Sequence, residues 1–255
     1  MKIISIFNQK GGVAKTTTAV NLGAAFANMG KKTLIVDLDA QANASTYLGF
    51  KKDKLLESNS IYECLQEELP LSQAISETEY ENLYIVPSNK KMASIEQILT
   101  TVPGRETLLK ESIQSCENEL DFDYILLDFP PALGIVSLNG LIASKYVIVP
   151  VEGVFALEGV NELLNTIRLV KRKFNPDLDL MGALLTKYTN TNLSNNVYAE
   201  LAECFGDKVF KNVIRSNVKI GESQAVAKPI LYFDSKSAGS EDYMALAKEV
   251  IEYGN

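Results

Sequence analysis

Eight consecutive residues near the start of the chain, at positions 10–17, have the types and the order needed to hold a chain of phosphate groups. Gly11 and Gly12 let the backbone approach an anion without a Cβ atom in the way, and the start of a following helix presents N–H groups to it. Lys15 supplies positive charge for the β- and γ-phosphates, and the Thr16 hydroxyl is suited to ligate Mg²⁺ directly. We therefore predict an ATP and Mg²⁺ site formed by Lys10, Gly11, Gly12, Val13, Ala14, Lys15, Thr16 and Thr17.

Two aspartates at the ends of apolar runs are candidates for handling the metal ion and water. Asp39 follows the run at 33–36, and Asp128 ends the run at 123–128. Ligands of open α/β sheets lie beyond the carboxyl ends of strands, so both carboxylates are expected to face the nucleotide. We predict that both hold Mg²⁺ through its water shell. Asp37 is expected to bond the loop backbone or that same water shell.

Regular elements must bring the loop and the aspartates together. The run at 3–7 predicts a buried strand, and residues 16–29 predict a helix that stops at Gly30. Residues 33–36 predict a second strand. These elements form a β-α-β unit, which is expected to be right-handed.

The remainder of the chain continues this alternation. Strands are predicted at 83–87, 123–128, 146–151, 180–185 and 209–214, and helices at 95–99, 106–116, 157–174, 195–205 and 240–252. Such alternation is typical of a mostly parallel, twisted sheet with helices on both faces. No internal repeat or linker stands out, so the sequence predicts a single α/β domain over residues 1–255.

The composition excludes several kinds of chemistry. The 255 residues include no histidine and three widely separated cysteines, which argues against histidine bases, Ser-His-Asp triads and zinc sites. The net charge of −7 argues against a surface coated with basic residues, although a local basic patch is compatible with it. The acidic stretch at 57–123 is expected to be a solvated face. No apolar run approaches the ~18 residues of a membrane helix, so we expect a cytoplasmic protein.

The loop departs from the strict GxxxxGK[ST] pattern, because Gln9 and Ala14 stand where that pattern has glycine. It resembles the deviant phosphate loop of the ParA/MinD family, usually KGGVGKTT, of which this chain has KGGVAKTT. The resemblance implies a P-loop NTPase fold. In that family the first lysine of the loop, here Lys10, reaches the ATP of a second subunit. The resemblance therefore implies a homodimer in the ATP-bound state.

Two further segments resemble motifs of the same family. Residues 37–44 resemble the DxDPQGNA segment, in which Asp39 by resemblance orients the attacking water. Ala40 and Ala42 replace the usual proline and glycine, which should change the stiffness of the segment. Asp128 begins a sequence similar to the DxPP motif, which gives it the Walker B role on Mg²⁺.

Resemblance to the ParA/Soj branch extends over nearly the whole chain. Residues 149–159 look like its VPVxxEYYALEG region, and residues 213–219 resemble its VIPRNVRL segment. By this resemblance Arg215 and Asn217 sit beside the adenine. Arg215 stands in the place of proline, so the adenine pocket is expected to be similar in position and different in detail.

The same region is expected to bind DNA. By resemblance Lys219 and Lys228 contact DNA, with Arg215 in the same patch. Residues 208–236 contain six basic and two acidic side chains, a local charge of +4. Contacts with phosphates position a protein without reading sequence, so non-specific binding is expected. The resemblance implies an ATPase that dimerises on ATP, associates with the nucleoid and partitions chromosomes or plasmids with a ParB-like partner.

Two alternatives remain in view. A MinD-like membrane switch needs a basic amphipathic helix at its C-terminus, whereas residues 247–255 carry one lysine and two glutamates, which anionic lipid would repel. No membrane partner is therefore predicted. A metabolic kinase, ligase or iron–sulfur reductase on the same loop is the other alternative. The sequence lacks paired cluster cysteines, and no feature of it suggests a pocket for a small molecule.

Overall fold

The computed structural model describes residues 1–66, 69–153 and 159–253. The strands are β1 (Lys2–Ile6), β2 (Thr33–Asp37), β3 (Ser76–Glu77), β4 (Leu83–Val86), β5 (Tyr124–Asp128), β6 (Tyr146–Glu152) and β7 (Asp179–Thr186). The helices are α1 (Lys15–Asn28), α2 (Asn43–Tyr47), α3 (Ile61–Leu65), α4 (Ile95–Ile98), α5 (Leu108–Ser115), α6 (Ile135–Ala143), α7 (Val160–Lys173), α8 (Asn192–Phe205), α9 (Val218–Ala225), α10 (Ile230–Phe233) and α11 (Ala238–Tyr253). Short 3₁₀ turns lie at Leu71–Ala74, Lys90–Ser94 and Leu99–Thr101.

The seven strands form one sheet in the order β3-β4-β2-β5-β1-β6-β7. Adjacent strands are parallel, apart from the short antiparallel pair of β3 and β4 at one edge. Parallel neighbours need crossover connections, which the helices between them supply. The structure confirms the predicted mostly parallel α/β sheet.

Apolar side chains alternate between the two faces of the sheet. On β2, Leu34 and Val36 pack into one buried cluster, and Ile35 packs into the other. The first cluster also takes in buried side chains of α3, α5, α6, α7 and α8, and the second takes in those of α1, α2, α10 and α11. Helices therefore cover both faces, as predicted.

The register of the central strands brings distant parts of the chain together. Ile6 of β1 is level with Asp128 of β5, and Asp128 is level with Asp37 of β2. The three strands therefore end side by side, and their carboxyl-terminal ends form one end of the sheet. The phosphate loop leaves β1 at this same end, so the topology sets both aspartates next to the loop.

The predicted strand at 209–214 is wrong. This segment runs along β7 and is joined to it by isolated bridges at Val209 and, just beyond the segment, at Arg215, rather than by a ladder. The backbone N–H groups of Lys211 and Asn212 donate instead to the carboxylate of Glu249 on α11. A side chain from a helix thus takes the donors that a strand would have used.

Several helices also differ from the sequence predictions. Helix α7 begins at Val160, so the predicted start at 157 lies outside the described residues. Helix α6 was not predicted, because its residues are apolar nearly all round and give no amphipathic period of 3.6. The last helix begins two residues before the predicted position, at Ala238.

Candidate nucleotide-binding site

Two residues of the loop between β1 and α1 have a left-handed backbone conformation. Gly12 has a φ of 80° and Ala14 has a φ of 67°, both in the left-handed region. Helix α1 begins at Lys15, with Ala14 as its N-cap residue. Alternation of left- and right-handed residues curls successive N–H groups into a concave nest that suits an anion.

The carbonyl groups of this loop are held by neighbouring side chains. Lys15 Nζ donates to the Lys10 carbonyl at 2.9 Å, Lys187 Nζ to the Gly12 carbonyl at 3.2 Å and Thr186 Oγ1 to the Val13 carbonyl at 3.3 Å. A peptide unit whose carbonyl is turned one way presents its N–H group the other way. The loop is therefore organised to offer N–H donors to an anion.

The two lysines of the loop lie in different environments. Lys15 is buried, with 7% of its surface exposed, whereas Lys10 is exposed. Burial lowers the pKa of Lys15, and the carboxylates of Asp128 and Asp39 oppose that shift. Lys15 thus lies next to carboxylates inside the cradle, at the place where its predicted phosphate contact would be made.

Asp128, at the end of β5, is fully buried, and neither of its carboxylate oxygens has a hydrogen-bond partner among the described residues. Burial raises the pKa of Asp128 well above its ordinary value, and the negative charge of Asp37 adds to the shift. The nearby Thr16 hydroxyl and Lys15 act in the opposite direction. A buried carboxylate without partners is costly unless a cation or its water shell reaches it. The residues therefore fit a Mg²⁺ ion held through water by Asp128.

Asp37 differs from Asp128 because its oxygens are already bonded. Its Oδ2 accepts the N–H and the hydroxyl of Ser45, at 2.9 Å and 2.7 Å, and its Oδ1 accepts the N–H of Asp39 at 3.1 Å. Burial nevertheless raises the pKa of Asp37 to about 6. The backbone groups bonded by Asp37 belong to its own segment and to α2.

Asp39 is partly exposed at the edge of a cavity that Lys15 and Thr16 also line. Its Oδ1 accepts the N–H of Gln41 at 2.9 Å, which fixes the orientation of the carboxylate. Ala42, the N-cap residue of α2, has a left-handed φ of 53°. A partly exposed, oriented carboxylate beside the cradle is suited to position a water molecule.

Two adjoining cavities of about 370 Å³ each lie at this end of the sheet. The first, here called the loop cavity, is lined by Gly11, Gly12, Ala14, Lys15, Thr16, Thr17, Asp39, Asn43, Phe129, Pro131, Lys187 and Gln224. The second, here called the α9 cavity, is lined by Ala14, Thr17, Thr186, Lys187, Ile214, Arg215, Ser216, Asn217, Val218, Ile220, Gly221, Gln224 and Tyr243. The loop cavity offers cations and hydroxyls, whereas the α9 cavity offers apolar side chains, as the phosphate and base ends of a nucleotide require. A larger cleft of about 510 Å³, lined in part by Leu48, Lys54 and Glu77, shares no residue with either cavity.

Arg215 and Asn217 both line the α9 cavity, where the resemblance expects the adenine. The Arg215 guanidinium is 2.7 Å from Asp242 and 3.0 Å from Glu241, so it ties this segment to α11. The Asn217 side chain accepts the N–H of Lys219 at 2.8 Å and thereby caps α9. Both residues thus shape the wall of the cavity, and Arg215 is engaged by carboxylates.

Lys219 and Lys228, the residues predicted to contact DNA, are exposed at and after α9. Lys219 Nζ is 2.8 Å from Glu222 Oε2, an exposed pair one helical turn apart. Two other cations of the basic segment, Lys208 and Arg215, pair with carboxylates that lie outside it. The patch is therefore less positive than the local count of charges predicts.

A buried polar network missed by the sequence reasoning links α1, α2 and α9. Asn21 Nδ2 donates to the Thr17 carbonyl at 2.8 Å and to the Tyr47 hydroxyl at 3.1 Å. The Tyr47 hydroxyl lies 2.9 Å from the Ser223 hydroxyl, and Asn21 Oδ1 accepts the N–H of Ile230 at 2.7 Å. The feature that reveals this network is the burial of three polar side chains among apolar ones. The sequence does not display that burial, because it exists only when the helices are packed together.

Within the described parts of the chain, no helix is both long and apolar enough to cross a membrane. Helix α11 packs Tyr243, Leu246 and Val250 into the cluster it shares with α1. The apolar face of this last helix is therefore part of the core.

Comparison with known proteins identifies the family. A family described as an AAA domain matches residues 1–180. The sporulation initiation inhibitor protein Soj of Bacillus subtilis is 43% identical over 255 residues, which cover 99% of each chain. The chromosome partitioning protein ParA of Myxococcus xanthus is 39% identical over 253 residues, which cover 98% of this chain and 88% of that protein.

Among solved structures, a similar fold occurs in cobyrinic acid a,c-diamide synthase from Mycobacterium smegmatis, with bound ATP analog and magnesium. It has a TM-score of 0.86 and 34% identity, and the match covers 100% of this chain and 96% of that one. The full-length relatives and the phosphate loop agree with this fold. The chain therefore belongs to the ParA/Soj family of chromosome-partitioning ATPases.

Proposed function

We propose that the chain is a Mg²⁺-dependent partitioning ATPase that dimerises on binding ATP, binds DNA without sequence preference and hydrolyses ATP with a ParB-like partner. The observation that carries the proposal is the separation of the two lysines of one loop. Lys15 is buried in the cradle, whereas Lys10 is exposed at the same loop. Lys15 is placed to serve the ATP bound to its own loop. Lys10 lies at the surface, where it would contact the ATP of a second subunit.

ATP and Mg²⁺ are the cofactors of this site. The N–H groups of the loop bind the phosphates, and Lys15 neutralises charge on the β- and γ-phosphates. Thr16 would ligate Mg²⁺, and Asp128 and Asp39 would hold its water shell. The metal ion, when bound, neutralises charge that develops on the phosphates during transfer.

Water attack on ATP depends on Asp39 in this proposal. The chain has no histidine, and Asp37 is bonded to Ser45 and Asp39. Asp39 is partly exposed, oriented by Gln41 and adjacent to Lys15. These properties support a role in orienting the attacking water.

DNA binding is proposed for α9 and the turn after it. The helix carries Lys219, and Lys228 follows it, both exposed. Surface ion pairs are weak, so Lys219 can exchange Glu222 for a DNA phosphate. Because the same helix lines the α9 cavity, the nucleotide and the DNA surface share one structural element.

Sedimentation velocity tests the proposal as a whole. Wild-type protein, Lys10→Ala and Lys15→Ala would each be run without nucleotide, with ADP and with a non-hydrolysable ATP analogue, in Mg²⁺ buffer with and without plasmid DNA. We expect a wild-type dimer with the ATP analogue alone and co-sedimentation of that dimer with DNA. Lys15→Ala should lose nucleotide binding, whereas Lys10→Ala should bind nucleotide and stay monomeric.

Two outcomes would contradict the proposal. A wild-type protein that stays monomeric and ignores DNA with the ATP analogue would favour a small-molecule reaction on the same loop. Lys10→Ala that dimerises like wild type would refute the role of the exposed lysine. The matched control is Lys2→Ala, a change of an N-terminal lysine outside both cavities.

A further inference from the structure

A third lysine touches the phosphate loop, although it lies far away in the sequence. Lys187 follows β7 directly and has a left-handed backbone with a φ of 51°. Its Nζ lies 2.8 Å from Glu152 Oε2, at the end of β6, and donates to the Gly12 carbonyl at 3.2 Å. The ends of β6 and β7 and the phosphate loop therefore meet at this ammonium group.

The contacts of Lys187 leave room for another partner. A lysine ammonium group has three N–H donors, and Glu152 and Gly12 take two of them. The Lys187 side chain is 53% exposed, and an ion pair at the surface is weak. A phosphate group in contact with Lys187 would therefore compete well with Glu152, because charge-assisted bonds to phosphate are strong.

Lys187 lies where the two cavities meet. It lines both of them, as do Ala14, Thr17 and Gln224, and it is the charged member of this set. A nucleotide with its terminal phosphates in the loop cavity and its base in the α9 cavity must pass its α-phosphate and ribose through this junction. The ammonium group is thus at the place expected for the α-phosphate.

We propose that Lys187 is a further nucleotide-binding residue, whose ammonium group binds the α-phosphate. The proposal rests on the proposed nucleotide site. Because ATP and ADP share the α-phosphate, Lys187 strengthens the binding of both by the same factor. In this it differs from Lys15, whose expected contacts are with the β- and γ-phosphates.

Isothermal titration calorimetry with ADP and with a non-hydrolysable ATP analogue tests this inference on the wild type, Lys187→Met and Lys187→Arg. We expect Lys187→Met to weaken both ligands about tenfold, with the ratio of their dissociation constants unchanged. Lys187→Arg should restore most of the affinity, because it keeps the charge. The matched control is Lys208→Met, since Lys208 also bonds a carboxylate, of Asp179, and a backbone carbonyl, of Leu180, but lines neither cavity.

A second variant separates ligand binding from a purely structural role. Glu152→Gln removes the carboxylate that competes for Lys187, so we expect it to tighten both nucleotides about twofold or more. If Glu152→Gln weakens binding and Lys187→Met lowers the unfolding temperature of the nucleotide-free protein far more than Lys208→Met does, Lys187 only fastens the loop and the inference fails. Equal affinities of wild type and Lys187→Met overturn it too. Failure of the wild type to bind either nucleotide would overturn the proposed site itself.

Discussion

The Tyr47 hydroxyl lies 2.9 Å from the Ser223 hydroxyl, in a buried contact between α2 and α9. Helix α2 follows the segment that carries Asp39, and α9 carries Lys219. Asn21 extends the contact to the carbonyl of Thr17 in the first turn of α1. The segments proposed for phosphate binding, water positioning and DNA binding are thus joined by one chain of hydrogen bonds.

Tyr47→Phe is expected to break this chain while keeping the ring in place. Loss of the bonds to Asn21 and Ser223 should lower the free energy of unfolding by about 1–2 kcal/mol in urea denaturation. If the network couples the two sites, the variant should also need more ATP-bound protein to half-saturate DNA, with its ATP affinity unchanged.

The control for this change is Tyr243→Phe. The Tyr243 hydroxyl is buried and has no hydrogen-bond partner among the described residues, so its removal should cost less than about 0.5 kcal/mol. Equal losses of stability in the two variants would mean that the Tyr47 hydroxyl bonds add nothing.

The buried carboxyl groups make the stability of the protein depend on pH in an unusual direction. The pKa of Asp37 in the folded state is about 6, above its ordinary value of 3.8, so the folded state takes up a proton more readily than the unfolded chain. The raised pKa of Asp37 therefore stabilises the folded protein at low pH. This stabilisation is lost as the pH rises from about 4 to 6, and none of it remains above that range. Lowering the pH from 7.5 to 5.5 should therefore raise the free energy of unfolding of nucleotide-free protein by on the order of 1 kcal/mol.

Urea denaturation at several pH values measures this slope cleanly, because the chain has no histidine to titrate in that range. The raised pKa of Asp128 acts in the same direction. Asp37→Asn should flatten the slope, whereas Asp179→Asn should leave it unchanged, since the pKa of Asp179 is lowered and lies outside the window. Stability that falls steadily on acidification from pH 7.5 would contradict the assignment.

Asp39→Ala is expected to separate binding from turnover. The variant should bind ATP and dimerise, while steady-state release of phosphate falls about 100-fold, as loss of a group that positions a reacting water implies. Asp53→Ala, an exposed change outside both cavities, serves as the control. Wild-type rates of hydrolysis by Asp39→Ala would exclude this role.

Charge reversal on α9 and the turn after it tests the DNA surface. Lys219→Glu combined with Lys228→Glu should weaken binding of the ATP-bound protein to plasmid DNA at least tenfold at fixed salt. Each lost phosphate contact should also reduce the slope of log affinity against log salt by about 0.9. Lys248→Glu, an exposed change on α11, should have a much smaller effect. Arg215 is less suited to this test, because its loss would also release the segment from Asp242.

Much of this arrangement follows from local sequence rules. The glycines and lysines at 10–17 indicate the cradle, and apolar runs ending in aspartate place Asp128 at the carboxyl end of its strand. Strand boundaries are correct to within about two residues for β1, β2, β4, β5, β6 and β7. Such features depend on neighbours in the chain, which a sequence displays directly.

The errors arise where distant residues decide the outcome. Residues 209–214 have the composition of a strand, but Glu249 of α11 takes two of their backbone donors. The basic segment loses positive charge to Asp179 and Asp242, which lie outside it. Lys187 resembles any lysine after a strand until the register of β6 and β7 sets it against Gly12.

The left-handed backbone of Ala14 and Ala42 has a consequence for how the two loops keep their shape. Left-handed geometry costs an alanine roughly 1–2 kcal/mol, a cost that glycine largely avoids. Both residues immediately precede helices that start at the cavity edge, so the strain is stored in the segments expected to grip the ligand. The contacts that hold the carbonyl groups of Gly12 and Val13, and the bond from Ser45 to Asp37, must offset this cost in the folded protein. Compared with glycine, the two methyl groups therefore raise the free energy of this loop geometry, and a change of either alanine to glycine should make the geometry easier to hold.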